Sequence, residues 1–133
     1  MLSVGKNVFD MTDNDITFHI RGAIFDVYNE FGPGALESLY EAALIVALKE
    51  RGLKVERQVP IDVFFHGTKL DVDYRLDLLV ENRVVVELKS VLEMKEVFHL
   101  QLLTYMKLSK KHLGILVNFN CDNIVNNIWR KIL

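Results

Sequence analysis

Little in this sequence signals a specialised class of protein. Its 133 residues include a single cysteine, Cys121. An intrachain disulfide, a Cys-based zinc site and a four-cysteine iron–sulfur cluster are therefore excluded. There are only two prolines and seven glycines, in a chain that is 50% hydrophobic and 26% charged. That balance excludes a collagenous, low-complexity or disordered chain. The longest unbroken aliphatic run, residues 42–48, is far too short to span a bilayer. Residues 1–10, MLSVGKNVFD, lack the apolar core and small-residue cleavage site of a secretory signal. No membrane partner is expected, and a cytoplasmic location is the default. What remains is an ordinary globular composition. Its length predicts one domain over 1–133, able to bury roughly two thirds of its unfolded surface without staples.

A net charge of −2 gives no strong basic footprint for nucleic acid. The charge is uneven, however. Residues 1–88 hold 9 basic and 15 acidic groups, whereas residues 89–133 hold 7 basic and 3 acidic. Solvated helix faces account for this as well as a basic surface beside an acidic cluster does. The second arrangement is one way to hold a polyanion over metal-binding carboxylates.

Periodicity divides the chain into elements. Thr12 can cap a helix carrying Ile16, Ile20, Ile24, Val27 and Phe31 at helical spacing, with Asp13 and Asp15 at its positive end. Gly32-Pro33-Gly34 breaks it, and a second helix is predicted over about 35–51, closed by Gly52. The period then changes to two. Residues 54–65 read as a strand interrupted at Pro60, which indicates an edge or a bulge, and His66-Gly67 turns the chain. Leu70, Val72, Tyr74, Leu76, Leu78 and Val80 alternate with polar residues as a half-buried strand. Residues 83–90 form a third strand, 94–109 a helix and 112–119 an apolar strand. Ile124, Val125, Ile128, Trp129 and Ile132 fit a short helix. The order ααβββαβα contains one crossover long enough for a parallel pair, so an α/β architecture with a mixed sheet flanked by helices is expected.

The polar face of the central hairpin carries Asp77, Glu87 and Lys89. Glu87 and Lys89 share a face because they stand two apart on a strand. Asp77 joins them if it lies opposite Glu87. That register pairs Val80 with Val84 and leaves Glu81-Asn82-Arg83 as a three-residue loop, with Asn82 or Arg83 left-handed. Two carboxylates beside an ammonium suit a hard cation such as Mg²⁺ or Mn²⁺. Such an ion lowers the pKa of bound water and neutralises a phosphate. Lys89 would orient that water or stabilise developing charge. A solvated strand face with a weak ion pair is the plainer reading of the same residues, and Glu93-Met94-Lys95 repeats the Glu-x-Lys pattern without a strand before it. Two further features add weight. Glu37 falls in the first turn of the second helix, and Gln101 and Tyr105, four apart, share one face of the third.

Taken in order, Gly34-x-x-Glu37-x-x-Tyr40, Asp77, Glu87-Leu88-Lys89, Gln101-x-x-x-Tyr105 and Gly114-Ile115-Leu116-Val117-Asn118-Phe119 resemble the GxxExxY family of the PD-(D/E)XK nuclease superfamily, near its RecB-like and phage-exonuclease-like branches. The resemblance covers about residues 15–120. It implies a restriction-endonuclease-like core and divalent-metal hydrolysis of phosphodiesters. Carried onto this chain, it implies Asp77 and Glu87 as the principal metal ligands, with the Leu88 backbone carbonyl beside them. Glu37 would be a helix-borne metal ligand or a group supporting the ligands, Lys89 the catalytic lysine, and Gln101, Tyr105 and Tyr40 groups that steady the site or contact nucleic acid. Leu76 stands where the signature has proline before Asp77.

The expected function is thus a Mg²⁺- or Mn²⁺-dependent nuclease acting on nucleic acid, DNA first. The chain has little beyond a core with which to grip a duplex, so a homodimer or a partner protein is expected to supply surface. A catalytically silent module of the same fold, binding nucleic acid or a protein, is the alternative. A glycosidase with paired carboxylates would need an aromatic-lined cleft that the sequence does not indicate. His19, His66, His99 and His112 lack paired metal spacing, although His99 lies two residues before Gln101. Cys121 reads as a structural thiol and Trp129 as an anchor for the C-terminal segment.

Overall fold

The structure, a computed structural model, describes residues 11–133. The reading of residues 1–10 lies outside the described residues. Helix α1 spans Asp13–Phe31. Thr12 and Asp15 cap it reciprocally: the Asp15 N–H donates to Thr12 Oγ1 at 3.1 Å, and the Thr12 N–H donates to Asp15 Oδ2 at 2.9 Å. Gly32, with φ +62°, ends the helix. Helix α2 spans Glu37–Glu50. The buried Tyr40 hydroxyl holds the turn between the helices, donating to the Gly32 carbonyl and accepting from the Ala35 N–H at 3.1 Å.

The strands are β1 (Val55–Ile61), β2 (Phe64–Phe65), β3 (Thr68–Lys69), β4 (Tyr74–Val80) and β5 (Val84–Lys89). They are followed by α3 (Glu96–Ser109), β6 (Leu113–Asn118), a 3₁₀ turn (Ile124–Asn127) and β7 (Ile128–Ile132). One sheet has the order β1-β4-β5-β6-β7, and β2-β3 form a separate hairpin. Only β5 and β6 run parallel, joined by the α3 crossover; the other neighbours are antiparallel. The mixed sheet flanked by helices matches the α/β expectation. Pro60 lies in β1, at the sheet edge, where its missing N–H costs no ladder bond.

Three boundaries differ from the sequence pattern. Residues 54–65 do not form one strand: β1 stops at Ile61, and Phe64–Phe65 fold back on Thr68–Lys69 through His66-Gly67, both with positive φ. The alternating run from Leu70 joins the sheet only at Tyr74. The C-terminal segment is β7 rather than a helix. The spacing of Ile128 and Trp129 suits either form, but β6 is buried along its whole length, and its open edge needs backbone partners. As a strand, the segment pairs Val117 with Ile128 and Leu113 with Ile132.

Two apolar layers sandwich the sheet. Ile16, Ile20, Ile24, Leu44 and Leu48 of α1 and α2 pack on Leu78, Val80, Val86, Leu88 and Ile115. On the other face, Leu102 and Met106 of α3 pack on Leu76, Leu79, Val85 and Leu116. Leu76 and Leu78 thus face opposite layers although they stand two apart. The alternation slips between them, at Asp77. The residue opposite Asp77 in β1 is Gln58, with φ +50°, and this position is skipped in the β1–β4 pairing. Val55 packs with the first layer, while Val59 and Ile61 pack with the second. The sheet is therefore kinked at the residue singled out as a metal ligand.

Candidate active site

The hairpin register is the one that brings Asp77 to Glu87. Leu78 pairs with Val86, Leu79 with Val85 and Val80 with Val84, around the loop Glu81-Asn82-Arg83. Asn82 is left-handed as expected, but its companion is Glu81 rather than Arg83. The Glu81 carboxylate accepts from the Lys54 N–H, which anchors the turn in that shape.

Beyond Leu78–Val86 the backbone ladder opens, and side chains take its place. The Asp77 N–H donates to Glu87 Oε1 at 3.0 Å, and the Leu88 N–H donates to Asp77 Oδ2 at 3.0 Å. Each carboxylate thus grips the other's strand through one oxygen. In a strand, one residue's N–H and C=O point to the same neighbour, so the Leu88 carbonyl looks into the gap that holds Asp77.

Glu87 is 6% exposed, in a strand whose residues Val84–Leu88 are all buried. Burial and then the negative charge of Asp77 push its carboxyl up to about 9, while Lys89 pulls the other way. A buried Glu87 thus stands against the negative charge of a half-buried Asp77, which disfavours the charged form of Glu87. A divalent cation would relieve that conflict. Two carboxylates and a carbonyl are the hard oxygen donors that Mg²⁺ or Mn²⁺ prefers, so the residues fit such an ion. Among the described residues, no group of three or more His, Cys, Asp or Glu side chains comes together as a metal cage. Glu37 therefore does not join the pair in a three-carboxylate cluster. It is exposed in the first turn of α2, and that helix is tied to the end of β5 because Ser90 Oγ donates to the Ala35 carbonyl at 2.6 Å.

Lys89 is half-buried, and its Nζ lies 4.9 Å from the centre of the Phe98 ring on α3. Tyr105 packs against the α3-side layer, and its hydroxyl pKa is raised by burial and by the charges of Glu87, Tyr74 and Asp77. Tyr105 thus stands in the field of the carboxylate pair. Gln101 is exposed on the same helix, and both line a groove that includes Tyr74. Tyr40 is buried, its ring stacked 4.4 Å from Phe119 and its hydroxyl committed to the Gly32–Ala35 turn. Its contacts support the entry to α2.

Three residues near the pair have no site role in the sequence reading, although Asn118 lies within one of its motifs. Phe98 carries the Lys89 ammonium; its signal was the three-residue spacing to Gln101. Tyr74, on the apolar side of the alternating strand, is exposed. Asn118, beside Lys89 in the β5–β6 register, is buried and fixes the loop after β5: its Oδ1 accepts from the Val91 N–H at 3.1 Å, and its Nδ2 donates to the Val91 carbonyl at 3.0 Å. His99 instead packs edge-on against Trp129 at 5.0 Å, and burial holds its pKa down. Cys121 is half-buried, and burial pushes its thiol up. Part of the basic excess is far from the carboxylates. Lys111 donates to the Asn82 carbonyl at the hairpin-turn end of the sheet. Five steps of strand, about 17 Å, separate that end from Lys89.

A kinked mixed sheet, helices on both faces, and an Asp–Glu pair followed by lysine at the end of the central parallel strand define a restriction-endonuclease-like core. The family model for the PD-(D/E)XK nuclease superfamily matches residues 14–131, and the chain belongs to that superfamily. Its members generally depend on a divalent metal. Comparison with curated proteins and with solved structures finds no match. No helix among the described residues is long and apolar enough to cross a membrane.

Proposed function

We propose that the chain is a single-domain, Mg²⁺- or Mn²⁺-dependent nuclease of the GxxExxY type, close to the RecB-like and phage-exonuclease-like branches. It hydrolyses nucleic-acid phosphodiesters, DNA first, in the cytoplasm. The observation that carries this reading is the reciprocal bonding of Asp77 and Glu87 across the opened end of the β4–β5 ladder. Asp77, Glu87 and the Leu88 carbonyl would hold the ion, while Glu37, outside that pair, would support the site from α2 without ligating directly. When bound, the ion supplies positive charge that acidifies water and neutralises phosphate.

The chain's own groups do the rest. The Lys89 ammonium, steered by the Phe98 face, stabilises negative charge developing at the phosphate. Gln101 and Tyr105 flank the substrate, and Tyr40 keeps α2 in place. Pure binding of a polyanion gives no reason for a buried acidic pair, which favours hydrolysis over a silent binding module. A homodimer or a partner protein would extend the small binding surface. The test is incubation of single- and double-stranded DNA and RNA with Mg²⁺, Mn²⁺ or EDTA. Cleavage that needs metal and disappears in Lys89→Ala is expected. Cleavage unchanged in Lys89→Ala, or none with any substrate, overturns the reading.

A further inference from the structure

Flanking the substrate gives Gln101 and Tyr105 a general role, but it does not say what the groove they line with Tyr74, Val97 and Leu100 receives. The groove has a volume of about 310 Å³ and is lined by Tyr74, Val97, Leu100, Gln101, Thr104 and Tyr105. None of these side chains is charged at neutral pH. A phosphate would be met by Arg, Lys or clustered N–H donors, so the lining suits a different group. Val97 and Leu100 are 49% and 53% exposed although apolar. The rings of Tyr74 and Tyr105 stand 5.6 Å apart, tilted by 58°. Flat aromatic and aliphatic walls fit a flat, uncharged heteroaromatic ring. The Gln101 amide and Thr104 hydroxyl offer donors and acceptors for the edge of such a ring. Tyr105 lines the groove and also feels the charges of Glu87 and Asp77, which puts the groove near the carboxylate pair.

Charge strengthens the argument. A net charge of −2 supplies little of the electrostatic attraction that dominates duplex binding. A small chain of this kind needs another source of grip, and stacking of bases on aromatic side chains provides one that is independent of net charge.

We propose that this groove receives an unpaired nucleobase of the substrate strand beside the phosphodiester to be cut, so that the substrate is single-stranded or frayed nucleic acid. The proposal rests on the nuclease reading of the adjacent site. In a duplex, base faces are stacked and Watson–Crick edges are paired, so only an unpaired or extruded base can enter. Tyr74, Val97 and Leu100 supply the apolar contact, and Gln101 reads the edge.

The test separates binding from cleavage. Full-length protein carrying Lys89→Ala, in EDTA, is titrated by fluorescence anisotropy into labelled single-stranded DNA. The same titration is run with RNA of that sequence, with DNA of that length bearing abasic spacers, and with the duplex. Single strands with bases are expected to bind about tenfold or more tightly than abasic strand or duplex. Adding Tyr74→Ala should remove that preference, and adding Tyr74→Phe should retain it. Tyr74 is exposed, so the fold tolerates both changes. Equal affinity for abasic and base-bearing strands, tighter binding of the duplex, or a preference indifferent to Tyr74→Ala overturns the proposal. Metal-dependent cleavage by the parent protein would still stand in that event, and its absence would count against the nuclease reading alone.

Discussion

Glu87→Gln isolates the electrostatic conflict at the site. Glutamine keeps the size of Glu87 and the oxygen that accepts from the Asp77 N–H, and it removes the ionisation. In the folded protein the Glu87 carboxyl is pushed up to about 9 from an ordinary 4.5, first by burial and then by Asp77. A carboxyl raised by folding gives stability that is complete below pH 4.5 and is lost as pH rises through 9. Over most of that interval each pH unit removes about 1.4 kcal/mol, so wild type loses roughly 4 kcal/mol from this group between pH 5 and pH 8. That is a large part of the 5–15 kcal/mol typical of a domain. The assay is urea denaturation in EDTA at both pH values, comparing wild type with Glu87→Gln. Titrating groups that do not face Glu87 change both proteins alike, so the difference between their pH slopes reports Glu87 together with the neighbours coupled to it. Wild type should weaken by several kcal/mol relative to the variant, and Mn²⁺ at pH 8 should restore wild type alone, because ligand binding stabilises only the state that binds. Parallel profiles for the two proteins would refute the argument that burial and the Asp77 charge hold the Glu87 carboxyl up.

Other outcomes follow from packing and hydrogen bonding. Tyr40→Phe removes the hydroxyl that serves both Gly32 and Ala35, and it should cost about 1–3 kcal/mol in urea denaturation and speed amide exchange at Ala35. Gly114→Ala would put its Cβ 2.6 Å from Met106 Sδ and 3.1 Å from Leu102 Cδ1; pushing α3 off β6 should cost about 1–3 kcal/mol, and an unchanged melting temperature would refute the tight contact. Asn118→Ala frees both polar groups of Val91, so the loop after Lys89 should lose about 1–3 kcal/mol of local stability, read as faster exchange at the Val91 amide.

The centre of the site was legible because a hairpin obeys arithmetic. Once Val80 meets Val84, Asp77 must meet Glu87, and the side-chain bonds between their strands agree. The capping box at Thr12 and Asp15 was equally local and equally plain. The kink at Asp77 was not legible. Leu76, Leu78 and Val80 alternate perfectly in the sequence, yet they pack in two layers because Gln58 in the neighbouring strand takes a left-handed turn. The C-terminal strand was hidden for a related reason. Ile128 and Trp129 fit helical spacing, and only the bare edge of β6 decides for a strand. The exposure of Tyr74 is hidden as well, because its alternation continues the pattern of β4 although the sheet only begins there.

The most direct test of the central claim is a calorimetric titration of Mn²⁺ into wild type, Asp77→Asn and Glu87→Gln at pH 8. Saturable binding by wild type that is lost in both variants is the predicted result. No saturable binding by wild type, or binding that survives in both variants, would contradict a metal centre built on Asp77 and Glu87.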